Sequence, residues 1–87
     1  MKYSAAFESA FERTLESEGS YVNDPLDTGQ ETKYGISKAA YPGEDIASLS
    51  LARAKEIYHR DYWRALSLDL LRGDVAAEVF DTAVNMG

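Results

Sequence analysis

At 87 residues with a formal net charge of -6, the chain is a single domain, residues 1-87, near the lower size at which a core sustains itself. The absence of cysteine excludes disulfides, thiolate catalysis and thiolate metal sites, and a lone histidine, His59, cannot build a zinc centre, so no metal or cofactor is expected. Fifteen acidic against nine basic residues repel phosphate backbones and anionic membranes, which argues against nucleic-acid partners and leaves neutral or weakly charged polymers such as polysaccharide open.

In chain order, Phe7, Phe11 and Leu15 recur at four-residue spacing with charged residues between them, which predicts an amphipathic helix from Ser4 to about Ser17. Ser4 is its expected N-cap and Gly19 its expected stop. The following segment, 19–42, is rich in breakers and mixes polar with aromatic residues, so an ordered loop with at most a short hairpin is expected. A second helix should begin after the cap Ser50 and run to about Leu66, with Leu51, Ala54, Ile57, Tyr58, Tyr62 and Ala65 inward. Beyond the break at Arg72-Gly73-Asp74, Val75, Val79, Phe80, Ala83 and Val84 predict a third helix. The fold class is therefore mainly α.

Two carboxylates draw notice. Eleven residues after Phe7, Glu18 returns to within about 20° of it on a helical wheel, so it follows the apolar stripe. A carboxyl against apolar side chains at a helix C-terminus has its charged form penalised, as a general acid requires; a solvated helix-end glutamate is the plainer alternative. Asp27 lies nine residues on in a Gly- and Thr-rich turn, and Thr32 five further. Asp27 is either an Asx-turn residue or the ionised second group that glycoside hydrolysis needs beside an acid. The tyrosines Tyr21 and Tyr34 flank this loop and offer flat faces for a sugar ring, whereas Tyr58, Tyr62 and Trp63 lie at core spacing. Asp81 and Asn85 share one face of the last helix and either aim at a cleft or brace the loop. A calcium loop on Asp24, Asp27 and Glu31 fails because Leu26 occupies a ligand position and no closing glutamate follows.

The segment from Glu18 to Ile36 resembles the signature of glycoside hydrolase family 108, which runs E-G-G-Y-x-N-x-P-x-D-x-G-G-x-T-x-x-G-I. It matches at Glu18, Gly19, Tyr21, Asn23, Pro25, Asp27, Gly29, Thr32, Gly35 and Ile36, and departs at Ser20 and Gln30, which each replace a glycine. The likeness continues through Asp61-Tyr62-Trp63 to Phe80-Asp81, Asn85 and Gly87. It implies a lysozyme-like fold and an N-acetylmuramidase that cuts the peptidoglycan glycan strand between N-acetylmuramic acid and N-acetylglucosamine, with Glu18 as the catalytic acid. More distantly, the Glu, Asp, Thr order is similar to that of phage-type lysozymes, which gives Asp27 and Thr32 supporting roles and points to inversion. Tyr21, Asn23, Tyr34, Asp81 and Asn85 are the expected substrate contacts. The other class of function is a non-catalytic peptidoglycan-binding or secretion accessory module.

The family usually continues into a second, peptidoglycan-binding-type domain, so a half-cleft completed by that domain or by a homodimer is expected. The N-terminus has no basic start and apolar stretch of a secretory signal. The protein is thus expected to be made in the cytoplasm and to act in the periplasm or cell wall, reaching it through a holin-type pore.

Overall fold

The computed structural model describes residues 3–18, 22–23 and 31–86. Helix α1 spans Ala5–Glu18. Ser4 caps it as expected, its Oγ accepting from the Phe7 amide at 3.2 Å, and the helix ends on the residue before Gly19. The same Ser4 hydroxyl donates to Asp69 Oδ1 at 2.8 Å, so the cap also ties the start of α1 to a distant turn.

Three short strands follow: β1, Val22–Asn23, β2, Glu31–Lys33, and β3, Ile36–Ser37. They form an antiparallel sheet in the order β1-β2-β3, with Val22 opposite Thr32 and Lys33 opposite Ile36. Tyr34 and Gly35, the two residues linking β2 to β3, have φ of 53° and 78°. Positive φ at both central residues is the signature of a type I′ turn, whose twist matches that of the strands it joins. Gly35 is thus required by backbone geometry, and Ile36 beyond it is buried.

A 3₁₀ turn at Ile46–Ser48 leads to helix α2, Leu51–Tyr58, capped by Ser50 Oγ on the Arg53 amide at 3.1 Å. The helix then changes pitch: His59–Arg64 form a π-helical turn. The expected inward stripe holds for Ala54, Ile57 and Tyr58, which are buried, and for Tyr62, half-buried, but Leu51 and Ala65 are exposed. Trp63, also expected at core spacing, is buried within the π-helical turn, while Ala65 beyond it faces outward. A second 3₁₀ turn at Leu68–Leu70 precedes helix α3, Gly73–Met86. There Ala76 and Phe80 are buried, whereas the expected inward Val75 is 44% exposed.

The core is aromatic. Phe7 meets Trp63, Phe80 and Phe11 at centroid distances of 5.4, 5.9 and 5.9 Å, and Trp63 meets Phe80 at 5.5 Å, mostly edge to face. Each such fully buried side chain contributes about 1.5–3 kcal/mol. The indole N–H of Trp63 donates to Asp69 Oδ1 at 2.9 Å, so the largest core side chain leaves no donor unpaired. Helix α3 begins against the first turn of α1, since a β-carbon built on Gly73 would lie 3.8 Å from that of Ala6.

Polar clamps hold the segment between β3 and α2 onto the helices. Arg53 grips Glu44 with both arms of its fork, at 3.1 and 2.7 Å, and keeps the Glu44 carboxyl below the usual carboxylate range. Tyr41 donates to Asp61 Oδ2 at 2.7 Å, and Arg60 forks onto the same carboxylate at 2.7 and 2.9 Å.

Candidate active site

Glu18 is the last residue of α1, and β1 begins four residues later. Four residues of chain reach at most about 14 Å, and a directly paired Cα lies about 5 Å across the sheet. Because Thr32 pairs with Val22, its Cα is held within about 20 Å of that of Glu18 whatever path the connection takes. Chain connectivity alone thus limits how far Thr32 can lie from the end of α1. The seven residues 24–30, which include Asp27, connect Asn23 to Glu31, and these two pair across the strands. Asp27, Tyr21 and the Asp24 considered for calcium lie outside the described residues.

The stripe that leads to position 18 is buried and, apart from Thr14, apolar. Phe7, Ala10 and Phe11 are buried, Leu15 packs partly against the core, and Thr14, one helical turn before Glu18, is buried as well. Among the described residues Thr14 Oγ1 has no hydrogen-bond partner. The sequence periodicity hid this residue because Thr14 occupies the stripe position three after Phe11, where an apolar side chain is the ordinary choice. The burial of this face is established as far as Thr14; the Glu18 side chain lies outside the described residues.

Thr32 is half-buried on the central strand, opposite Val22 on one side and Ser37 on the other. Tyr34 is half-buried at the turn, packed on the core, with Lys33 Nζ 5.4 Å from its ring centroid. Its carbonyl accepts from the buried Tyr58 hydroxyl at 2.7 Å, which fixes the hairpin to the core. Asn23 contributes its backbone to β1. On α3, Asp81 and Asn85 are both exposed, roughly 12 and 18 Å along the helix from Gly73. Among the described residues no three His, Asp or Glu side chains gather as a metal site would require.

The half of the signature that reads T-x-x-G-I now has a structural account: Thr32 and Ile36 flank a two-residue turn that needs positive φ at Tyr34 and Gly35. The other half, from Glu18 to Asn23, is the passage from helix to sheet. A family model described as glycosyl hydrolase 108 matches residues 11–87, which includes both halves. The chain belongs to the glycosyl hydrolase 108 family. The solved structure of Brucella abortus SagA matches this glycosyl hydrolase 108 domain with a TM-score of 0.77 and 30% identity over 91% of the chain. The chain spans half the length of that protein. No curated protein matches. The expected mainly helical, lysozyme-like architecture is thereby shown, with a small sheet where the sequence suggested at most a hairpin.

Proposed function

We propose that this glycosyl hydrolase 108 domain is the acid-bearing lobe of a peptidoglycan hydrolase, an N-acetylmuramidase acting on the glycan strand. The observation that carries the reading is the family match over residues 11–87 with Glu18 as the terminal residue of a helix whose stripe is buried.

In the proposed mechanism Glu18 is protonated when substrate binds and transfers its proton to the glycosidic oxygen as the bond to the anomeric carbon lengthens. Charge then builds on an oxocarbenium-like ring. Asp27, ionised in its polar turn, accepts a proton from a water molecule on the opposite face of the ring, and Thr32 positions that water through its hydroxyl. Attack from that face inverts the anomeric configuration. The mechanism requires the two carboxyls to hold opposite protonation states at one pH, as a drier setting for one and a polar setting for the other would give. Tyr21, Tyr34 and Asn23 contact the sugar from the loop side, and Asp81 and Asn85 from α3. A cleft that holds several sugars needs a facing wall, which a second domain or a second copy supplies.

Mass analysis of the fragments released from purified sacculi tests the reading. New reducing ends at N-acetylmuramic acid support it, whereas reducing N-acetylglucosamine, anhydro ends or freed peptides each assign a different reaction. Sacculus binding with no fragments at all would favour a non-catalytic accessory module.

A further inference from the structure

The acidity of this chain is unevenly spread. Residues 51–66 carry four of the nine basic residues but only two of the fifteen acidic ones. Three of those four, Arg53, Arg60 and Arg64, line one groove of about 200 Å³ together with Tyr3, Glu56 and His59. A shallower groove continues from it past Lys55. The π-helical turn carries Arg60 and Arg64 on the same six residues that seat Trp63 in the core, so their backbone is anchored. Tyr3 forms the aromatic wall, its ring 4.6 Å from that of His59.

The charges in the groove differ in how far they are already satisfied. Arg53 is held by Glu44 and Glu56, and Arg60 by Asp61. Arg64 has no carboxylate partner among the described residues and its side chain is exposed. Its planar fork is suited to grip a carboxylate or phosphate with two hydrogen bonds. Glu56, on the rim and 3.1 Å from Arg53, discriminates between these two anions. A phosphate dianion would meet that carboxylate at close range. A peptide terminus brings a single negative charge and amide N–H groups that Glu56 accepts.

We infer that this groove binds the terminal carboxylate of a peptide, with Arg64 as the principal contact, Arg60 and Arg53 beside it, and Tyr3 covering the apolar side chain. In the proposed substrate these are the stem peptides of the cell wall, and to that extent the assignment rests on the peptidoglycan reading. The groove starts at Tyr3, before α1, and Glu18 ends that helix roughly 20 Å away. It is therefore a second point of attachment. For a net-negative domain on a wall rich in carboxylates, a local cationic groove orients approach, and a second weak contact on a repeating polymer raises the effective concentration at the first.

Titration of the full chain, followed by amide NMR shifts, uses N-acetyl-D-alanyl-D-alanine, its C-terminal amide and inorganic phosphate as probes. The free carboxylate should give saturable shifts centred on residues 53–64, and the amide should bind at least about tenfold more weakly. Arg64→Ala should weaken the dipeptide about tenfold, while Arg72→Ala, the same charge change on an exposed residue elsewhere, should leave it unchanged. Absence of saturable shifts, equal binding of the amide, tighter binding of phosphate, or equal weakening by both substitutions would overturn the assignment. The dipeptide contains no glycosidic bond, so these results stand or fall separately from the hydrolase reading.

Discussion

The buried hydroxyl of Tyr58 donates a 2.7 Å hydrogen bond to the main-chain carbonyl of Tyr34, joining α2 to the turn between β2 and β3 across 24 residues of sequence. A small sheet of two- and three-residue strands is not stable alone, so this bond and the burial of Ile36 help to hold Thr32 and Tyr34 in place.

Tyr58→Phe keeps the ring in the core and leaves the Tyr34 carbonyl without this donor. The expected loss is about 1–2 kcal/mol. For a domain of this size that lowers the melting temperature by roughly 4–8 °C per kcal/mol. Hydrogen exchange should quicken selectively at residues 31–37, and a uniform change across the chain would show that the bond does not govern the hairpin.

Two left-handed residues should respond in opposite directions to changes at the β-carbon. Ser67, at φ 53°, precedes the second 3₁₀ turn, and Ser67→Gly should stabilise by up to about 1 kcal/mol. Gly35→Ala, at φ 78°, should destabilise by about 1–2 kcal/mol. Chemical denaturation of the two variants checks both signs.

The sequence was legible where a regular helix met a core. Ser4, Phe7 and Phe11 predicted α1, and the Ser50 cap predicted the start of α2, because capping and four-residue spacing are local properties. Trp63 was placed at core spacing and is buried, whereas Ala65 was expected inward and is exposed, because a π-helical turn has no signature in apolar spacing. The short hairpin was expected, but its strand positions and the third strand were not legible, because strands of two or three residues are too short to alternate and Tyr-Gly is not a favoured type I′ pair. At the site, Glu18 could be picked out by wheel position and resemblance. The arginine groove was not singled out, although Arg53, Arg60 and Arg64, seven and eleven residues apart, fall within about 40° of one another on a helical wheel.

Stability should fall in acid and in alkali for separable reasons. Burial lowers the pKa of His59, with Arg64 adding to the effect against the opposing Asp69, so its contribution fades as pH drops below about 6.5. Asp61 is held below the usual carboxylate range by Arg60 and then by Tyr41, and Asp69 by Trp63 and then Ser4. Their contributions are present above about pH 4 and are lost as pH falls further. Tyr41 moves the other way: burial first, then the Asp61 carboxylate, pushes its pKa well above the ordinary value. Its contribution is complete below about pH 10 and declines as pH rises beyond that. In thermal melts across pH, Asp61→Asn should flatten the acid limb and Tyr41→Phe the alkaline limb; unchanged limbs would remove these groups from the account.

The stereochemical course separates two roles for Asp27. Inversion requires the two carboxyls to lie about 6.5–9.5 Å apart with water between them, whereas a nucleophilic Asp27 would lie about 5–5.5 Å from Glu18 and give retention. Proton NMR of the first anomer released should show the inverted product. A retained anomer would recast Asp27 as the nucleophile.

The proton on Glu18 bears the whole mechanism, and replacing that one carboxyl tests it most directly. Wild type and Glu18→Gln, in the complete protein, are to be compared on purified sacculi for release of reducing ends and for binding. The account predicts a loss of turnover of about 10²–10⁴-fold with sacculus binding and melting temperature preserved. Turnover within a few-fold of wild type in a folded Glu18→Gln protein would contradict it.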